Sequence, residues 1–268
     1  MIACDLDRTL IPNGKEDYDG SLPQFYDFIS KIPQVTLVYA TGRNLKLFEE
    51  GEVEYNLKKP DYLLGSVGTE VYEKIITNDG DEKMTPDPDW KNYVLEKHPN
   101  WNRHQIVRDL SSRLDSETFF LQEEELQNLN KISYYLKDLS QKEKIISNIS
   151  EYLRERNIQG EVVYSFDPHK DSGLIDVLPR SATKLGALEF LINKLNKDRE
   201  NVIYSGDSGN DLLPLTAGIK AVLVNNAPNE VKVQAKEIAR NKGFEDKLYI
   251  AKGNYSAGVI EGLKHFRI

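Results

Sequence analysis

The sequence predicts an α/β fold, a parallel sheet covered by helices on both faces and interrupted by a separate α+β unit. Two observations carry this expectation. Short apolar runs rich in β-branched residues alternate with amphipathic helical patterns, as in a sheet buried on both faces. The middle of the chain then changes character, to charged helices and tyrosine-bearing strands set between two polar, turn-rich stretches.

The strand candidates are Ile2 to Cys4, Val35 to Tyr39 (VTLVY), Tyr62 to Leu64, Val202 to Tyr204 (VIY) and Ile219 to Val224 (IKAVLV). Between them lie helical patterns at Leu22 to Ile32, Lys184 to Leu195 and Pro228 to Arg240. Strand and helix alternate, which predicts parallel pairing with crossover helices. In the middle, DPDWKNYVLEKHPNW reads as a helix, KISYYLKD as a strand, QKEKIISNISEYLRER as an amphipathic helix and GEVVYSF as a strand. The turn-forming stretches TNDGDEK (Thr77 to Lys83) and DPHKD (Asp167 to Asp171) bound this unit. They divide the chain into a first core segment 1–79, an insertion 80–167 and a second core segment 168–268.

Composition narrows the function. Across 268 residues, 35 Lys and Arg face 43 Asp and Glu for a net charge of −8, with no basic block of the kind that grips nucleic acid. The single cysteine, Cys4, excludes a disulfide framework and a Cys-rich zinc site within the chain, and points to a reducing compartment. No charged leader precedes Asp5 and no apolar run reaches the roughly 18 residues of a membrane span. A cytoplasmic protein without a membrane partner is expected.

In an open parallel sheet, ligands bind beyond the carboxyl ends of the strands. The first strand delivers Asp5 and Asp7 there, and VTLVYATGR delivers Thr41, Gly42 and Arg43. The turn before the Lys184 helix supplies Ser181 to Lys184, and VIYSGDSGND supplies Asp207, Asn210 and Asp211. Clustered carboxylates call for a hard cation such as magnesium, which takes oxygen ligands. A hydroxyl, turn amides and an ammonium suit a phosphate, and a carboxylate can serve as the nucleophile of phosphoryl transfer.

Taken in order, DLDRTL, ATGR, Lys184 and GDSGND resemble the four motifs of the haloacid dehalogenase superfamily of phosphatases. SVGTEVY (Ser66 to Tyr72), KISYYL, GLIDVLP (Gly173 to Pro179), GDSGND and SAGVIEGLKHF further resemble the sucrose-phosphate phosphatases, over nearly the whole chain. The resemblance implies a doubly wound, Rossmann-like core with an inserted α+β cap domain. It implies a magnesium-dependent phosphoric monoester hydrolase that cleaves sucrose 6-phosphate through an aspartyl-phosphate. Asp5 would be the nucleophile and Asp7 the acid and then the base, with Thr41 and Lys184 also catalytic. Thr41, Gly42, Arg43, Lys184 and Asn210 would contact the substrate, and Lys170 and Asp171 the sugar hydroxyls. Magnesium would sit on Asp5, the Asp7 carbonyl, Asp207 and Asp211. The partner would be a small-molecule sugar phosphate, and a transient association with a sugar-phosphate synthase stays open. Arg8 stands where that family commonly shows Asn, and SATKLGA departs from its usual glycine-containing turn. Mannosylfructose phosphate and a glucosyl- or mannosylglycerate phosphate therefore remain alternative substrates.

Other readings fit less well. A calcium loop from Asp5 would place Glu16 twelfth, but Leu10 falls where the loop needs Gly. GDSGN also occurs around a protease serine, yet a parallel sheet and the absence of disulfides argue against Ser208 in that role. A receiver-like module that stores phosphate on an aspartate needs no inserted unit and only roughly 120 residues, the size of an ordinary domain. His98, His104, His169 and His265 have no metal-binding spacing, and none is assigned to catalysis. Of Tyr134 and Tyr135 on the KISYYL strand, one is a candidate to stack on a sugar face.

Overall fold

The computed structural model describes residues 1–14, 16–114, 117–167 and 170–268. Its strands in chain order are β1 (Ile2–Cys4), β2 (Leu37–Ala40), β3 (Tyr62–Gly65), β4 (Glu70–Ile76), β5 (Glu82–Pro86), β6 (Phe119–Leu121), β7 (Ile132–Leu136), β8 (Gly160–Asp167), β9 (Ser172–Pro179), β10 (Ile203–Gly206), β11 (Lys220–Leu223) and β12 (Leu248–Ile250). The helices are α1 (Leu22–Ser30), α2 (Leu45–Tyr55), α3 (Pro88–Lys97), α4 (Arg103–Arg113), α5 (Lys142–Glu155), α6 (Lys184–Lys194), α7 (Leu212–Leu215), α8 (Asn229–Lys242) and α9 (Tyr255–His265).

One eight-stranded sheet runs β12-β11-β10-β1-β2-β3-β4-β5, and a second, four-stranded sheet runs β6-β7-β9-β8. From β12 to β3 neighbouring strands pair in parallel, while β4 and β5 add an antiparallel edge. The chain winds outward from β1 through β2 and β3, and outward on the other side through β10 and β11. The strand order therefore reverses at β1 and β10, and a crevice opens beyond their carboxyl ends.

Alternation along each strand builds two cores. Ala3, Val38 and Leu64 pack with Trp90 and Val94 of α3, Leu188 and Leu191 of α6 and Val231 and Ala235 of α8. Ile2, Cys4, Tyr39 and Leu63 pack on the other face with Phe25 and Ile29 of α1, Phe48 of α2 and Val259 and Leu263 of α9. Each fully buried leucine of this kind contributes about 1.5–3 kcal/mol relative to exposure. The smaller sheet has its own core, where Ile106 and Leu110 of α4 and Ile145 and Ile149 of α5 cover Ile132, Tyr134, Ile175 and Val177.

Sheet membership departs from the expected segment limits at both ends. TNDGDEK, read as the exit from the core, is the turn of a hairpin within the large sheet, with Ile76 opposite Glu82. Helix α3 then packs back onto the core: Trp90 Nε1 donates to the Thr69 carbonyl at 3.0 Å and its ring lies 5.1 Å from that of Phe190. At the far end, β9 pairs with β7 and β8 in the small sheet, although its sequence GLIDVLP begins beyond residue 168. An apolar strand reads alike in either sheet, and a polar turn reads alike inside or between domains, so the pattern could not separate them. Residues 168 and 169, including His169, lie outside the described residues.

The two connections between the units are pinned to each other. His98 closes α3, and Ser181 precedes α6 on the return from β9. His98 Nε2 lies 2.6 Å from Ser181 Oγ and accepts the Ser181 backbone N–H at 3.2 Å. That acceptor role requires a neutral ring, and burial together with the Lys97 charge pushes the His98 pKa down. A histidine whose folded pKa is depressed loses its stabilising contribution as pH falls through the unfolded value near 6.5. The stability difference between the unaltered chain and His98→Asn should therefore shrink from pH 7.5 to pH 5.5. Urea unfolding at a series of pH values measures this, and a difference that grows on acidification would contradict it.

Candidate active site

The crevice gathers the carboxylates expected from the sequence. Asp5, one residue beyond β1, is buried, and its Oδ1 accepts the Leu6 N–H at 2.8 Å. Asp207, just beyond β10, and Asp211, in a 3₁₀ turn of residues Gly209–Asp211, are also buried. One oxygen from each of Asp5, Asp207 and Asp211 lies within 4.8 Å of the others. Parallel pairing explains the meeting: β1 and β10 are neighbours with Cys4 opposite Ser205, so both strands release their carboxylates at the same edge of the sheet.

Lys184 enters this cluster from the first turn of α6. Thr183 caps that helix by accepting the Gly186 N–H at 3.1 Å, which aims the next side chain into the crevice. The Lys184 ammonium lies 2.8 Å from Asp211 Oδ1 and 3.1 Å from Asp5 Oδ1, and its side chain is only 1% exposed. Burial disfavours the ammonium, but Asp211 and Asp5 outweigh it and hold its pKa above the usual lysine value. Burial raises the Asp5 pKa well above the carboxylate range; Lys184 opposes the shift, and Asp211 and Asp207 reinforce it. Burial and the Asp211 charge push Asp207 up to about 7. The Lys184 ammonium, even with the Arg8 guanidinium 3.2 Å from Asp207, leaves the three carboxylates under-compensated.

Asp211 is fully engaged. Its Oδ1 also accepts the Tyr204 hydroxyl at 2.5 Å, while Oδ2 accepts the Asp207 and Ser208 backbone N–H groups, each at 3.0 Å. It therefore aligns Lys184 and fixes the turn that carries Asp207. Asn210 lies in the same turn, its Oδ1 accepting Ser208 Oγ at 3.1 Å.

Thr41 comes directly after β2 and is buried, with Oγ1 accepting the Arg43 N–H at 3.1 Å and the hydroxyl proton left to donate. Gly42 lies beside Val67. Arg43 grips Asp7 with Nε to Oδ2 at 3.0 Å and Nη2 to Oδ1 at 2.6 Å, a two-pronged ion pair at the partly exposed rim. The SVG segment straps these pieces together. Ser66, Val67 and Gly68 all have positive φ, and Val67 N donates to the Thr41 carbonyl at 2.9 Å. A Cβ on Gly68 would lie 2.4 Å from Thr183 backbone, so glycine is required both by φ and by the close approach of the loop to Lys184. A β-branched residue such as Val67 in this conformation is rare and marks a strained, over-determined site.

Lys170 and Asp171 lie elsewhere, exposed and directly before β9. The Lys170 ammonium donates to the Tyr135 hydroxyl, sits 4.7 Å over that ring and lies 3.9 Å from Glu123, all partners in the smaller domain. Asp171 supplies a positive φ to the turn. Tyr134 is core, stacked on Phe119 at 4.2 Å, while the Tyr135 hydroxyl donates to Glu123 at 2.8 Å. The small domain meets the core on two sides. Asn44 Nδ2 donates to the Glu125 carbonyl at 3.1 Å, and Asn128 Nδ2 donates to Thr69 Oγ1 at 2.8 Å. Opposite these, Lys142 pairs with Glu230 at 3.0 Å, and a Cβ on Gly209 would lie 2.3 Å from the Tyr164 carbonyl. Between the domains lies a cavity of about 630 Å³, with Arg8 and Asp207 on one wall and Tyr164 and Phe166 on the other.

Sequence reasoning missed Tyr204 and Thr9, whose hydroxyls donate to Asp211 and to Asp207 Oδ1 (3.2 Å). It also gave Arg8 no role. The Arg8 side chain donates to Asp207 Oδ2 at 3.2 Å, and Glu16 and the Asn226 carbonyl accept from it. The signals were that an arginine directly follows the paired carboxylates and that it stands where the resembled family commonly shows Asn.

A doubly wound sheet with buried carboxylates, a lysine and a threonine beyond its carboxyl edge, under an inserted α+β cap, defines the phosphatase class of the haloacid dehalogenase superfamily. The family model for sucrose-6F-phosphate phosphohydrolase matches residues 1–267, and the chain belongs to that family. It is 31% identical over its whole length to sucrose-phosphatase 1 of Nicotiana tabacum, of which it spans 59%. It is 29% identical to the mannosylfructose-phosphate phosphatase of Agrobacterium fabrum, covering 99% of this chain and 96% of that protein. The crystal structure of the sucrose-phosphatase from Synechocystis sp. PCC6803 in complex with sucrose and phosphate superimposes with a TM-score of 0.80, at 25% identity, over 99% of this chain and 96% of that one. No helix among the described residues is long and apolar enough to cross a membrane.

Proposed function

We propose that the chain hydrolyses a sugar phosphate, sucrose 6-phosphate, to sucrose and phosphate with magnesium bound at the carboxylate cluster. The observation that carries the phosphatase chemistry is the buried set of Asp5, Asp207 and Asp211 around Lys184. Its donors are oxygen only and under-compensated in charge, which suits a hard divalent cation and no soft metal. The Asp5 and Asp207 carboxylates and the Asp7 carbonyl would hold it, with Asp211 acting through Lys184 and the turn it fixes. When bound, the ion neutralises the carboxylates and the charge on the phosphoryl oxygens.

The residues of the chain do the rest. Asp5, beside Lys184, attacks phosphorus and becomes an aspartyl-phosphate, while Thr41 and Lys184 bind the phosphoryl oxygens. Asp7 protonates the departing sugar oxygen and then takes a proton from the water that cleaves the intermediate. Arg43 pairs with Asp7 in the present arrangement, so entry of the sugar must loosen that pair before Asp7 reaches the leaving group. The cap excludes bulk water and supplies the contacts that distinguish sugars, among them the Tyr135, Glu123 and Lys170 group. Family membership and the sucrose bound to the Synechocystis relative favour sucrose 6-phosphate. The Agrobacterium relative, matched over nearly its full length, favours mannosylfructose phosphate as the second reading. The lone buried thiol, Cys4, supports a reducing, cytoplasmic setting.

Metal removal tests the core of this proposal. Phosphate release from sucrose 6-phosphate should vanish in excess chelator and return with added magnesium, without a change in the far-ultraviolet circular dichroism. Undiminished release after exhaustive chelation would remove the metal from the reaction.

A further inference from the structure

The Arg8 side chain occupies a place that the proposed chemistry does not use. It comes directly after Asp7, yet it turns away from the rim and back toward Asp207, 199 residues further on. Its backbone takes φ 62, held by Arg8 N donating to the Ile11 carbonyl at 2.7 Å and by Asn226 Nδ2 donating to the Arg8 carbonyl at 2.6 Å. The guanidinium is fixed on three sides: Nε to Asp207 Oδ2 at 3.2 Å, Nη1 to Glu16 and Nη2 to the Asn226 carbonyl at 3.1 Å. Glu16 is itself held, by the Tyr255 hydroxyl at 3.3 Å and the Asn13 N–H at 3.2 Å. A chain of contacts therefore runs from Tyr255 through Glu16 and Arg8 to Asp207. With Thr9 donating to Oδ1 and Arg8 to Oδ2, both oxygens of Asp207 are occupied by donors from the turn that carries Asp5 and Asp7.

A rigid guanidinium and a divalent cation both seek the same carboxylate, and they repel each other across it. We propose that Arg8 is a positioning residue that holds Asp207 in the metal-free site, competes with magnesium for it, and so sets the affinity of the site for the ion. Glu16 tunes this competition by neutralising part of the Arg8 charge. The inference rests on the reading that magnesium binds at Asp5 and Asp207. It predicts opposite effects for two neighbours: loss of Arg8 tightens metal binding, and loss of the Glu16 charge weakens it.

The test is calorimetric titration of magnesium chloride into metal-free protein, paired with thermal unfolding in chelator. Asparagine tolerates the left-handed backbone at this position, so Arg8→Asn removes the charge with little strain. Arg8→Asn should bind magnesium roughly tenfold more tightly while unfolding at a lower temperature when metal-free, as expected from removing a cation beside clustered carboxylates. Arg8→Lys should keep an affinity close to that of the unaltered chain, and Glu16→Gln should bind severalfold more weakly. Equal or weaker binding by Arg8→Asn, or Arg8→Lys behaving like Arg8→Asn, overturns the inference. So does Glu16→Gln binding as tightly as the unaltered chain, a variant that keeps the test decisive should the Arg8 variants fail to fold. Absence of any magnesium binding by the unaltered chain overturns the metal reading as well, which separates the two failures.

Discussion

Asp5→Asn should abolish turnover, by at least roughly 10⁴-fold, while leaving the fold intact or more stable when metal-free. The first half rests on chemistry: an amide has no oxygen anion with which to attack phosphorus. The second half rests on burial. The folded pKa of Asp5 lies well above the unfolded value of about 3.8, so the folded state holds its proton more tightly. Such a group costs stability as pH rises above the unfolded value, and the cost is complete once pH exceeds the folded pKa. A neutral, nearly isosteric amide removes that cost, and Lys184 keeps Asp211 as a partner at 2.8 Å. Magnesium should in turn raise the unfolding temperature of Asp5→Asn far less than that of the unaltered chain. Steady-state phosphate release and thermal unfolding with and without chelator measure both halves. Turnover within tenfold of the unaltered chain would rule out Asp5 as nucleophile.

Lys184→Met should produce the largest loss of stability. The ammonium is the link between two buried carboxylates, and the substitution keeps the apolar stem while leaving Asp5 and Asp211 facing each other uncompensated. Breaking a buried ion pair by removing one partner costs about 3–5 kcal/mol, which for a chain of this size lowers the unfolding temperature by about 6–20 °C. Removing the facing charge as well, in Lys184→Met with Asp211→Asn, should recover part of the stability but none of the activity. The two roles of Lys184 then separate: balance of buried charge can be restored by neutral groups, and binding of the phosphoryl oxygens cannot. A single variant as stable as the unaltered chain in chelator would show that the carboxylates, not the lysine, adapt to each other.

These expectations rest on features that the sequence exposes unevenly. The core strands were readable because burial on both faces demands uninterrupted β-branched runs, as in VTLVY and IKAVLV. Asp5, Asp207, Asp211 and Lys184 were readable for a related reason, since parallel strands bring the residues just beyond them to one edge. The features that stayed hidden depend on contacts that pattern does not encode. Helix α3 looks like part of the insertion until Trp90 is seen against Phe190 and the Thr69 carbonyl. Strand β9 looks like core because an apolar strand carries no mark of the sheet that it joins. Arg43, expected against the substrate, is paired with Asp7, and Lys170 is paired within the cap. Arg8 shows the limit most clearly: its partner Asp207 is defined only once β1 and β10 are side by side.

In the proposed function this site takes the phosphate of a disaccharide, with the cap reading the second sugar. The direct measurement is kcat/KM for phosphate release from sucrose 6-phosphate, mannosylfructose phosphate, a glucosylglycerate phosphate, glucose 6-phosphate and fructose 6-phosphate under saturating magnesium. Binding energy from the second sugar must be expressed in the transition state to select among substrates that share one phosphate. Sucrose 6-phosphate should exceed both monosaccharide phosphates by at least roughly 10²-fold, about 3 kcal/mol of transition-state discrimination, and should exceed the other glycosyl phosphates. Sucrose 6-phosphate cleaved no faster than fructose 6-phosphate, or clearly outrun by mannosylfructose phosphate, would contradict it.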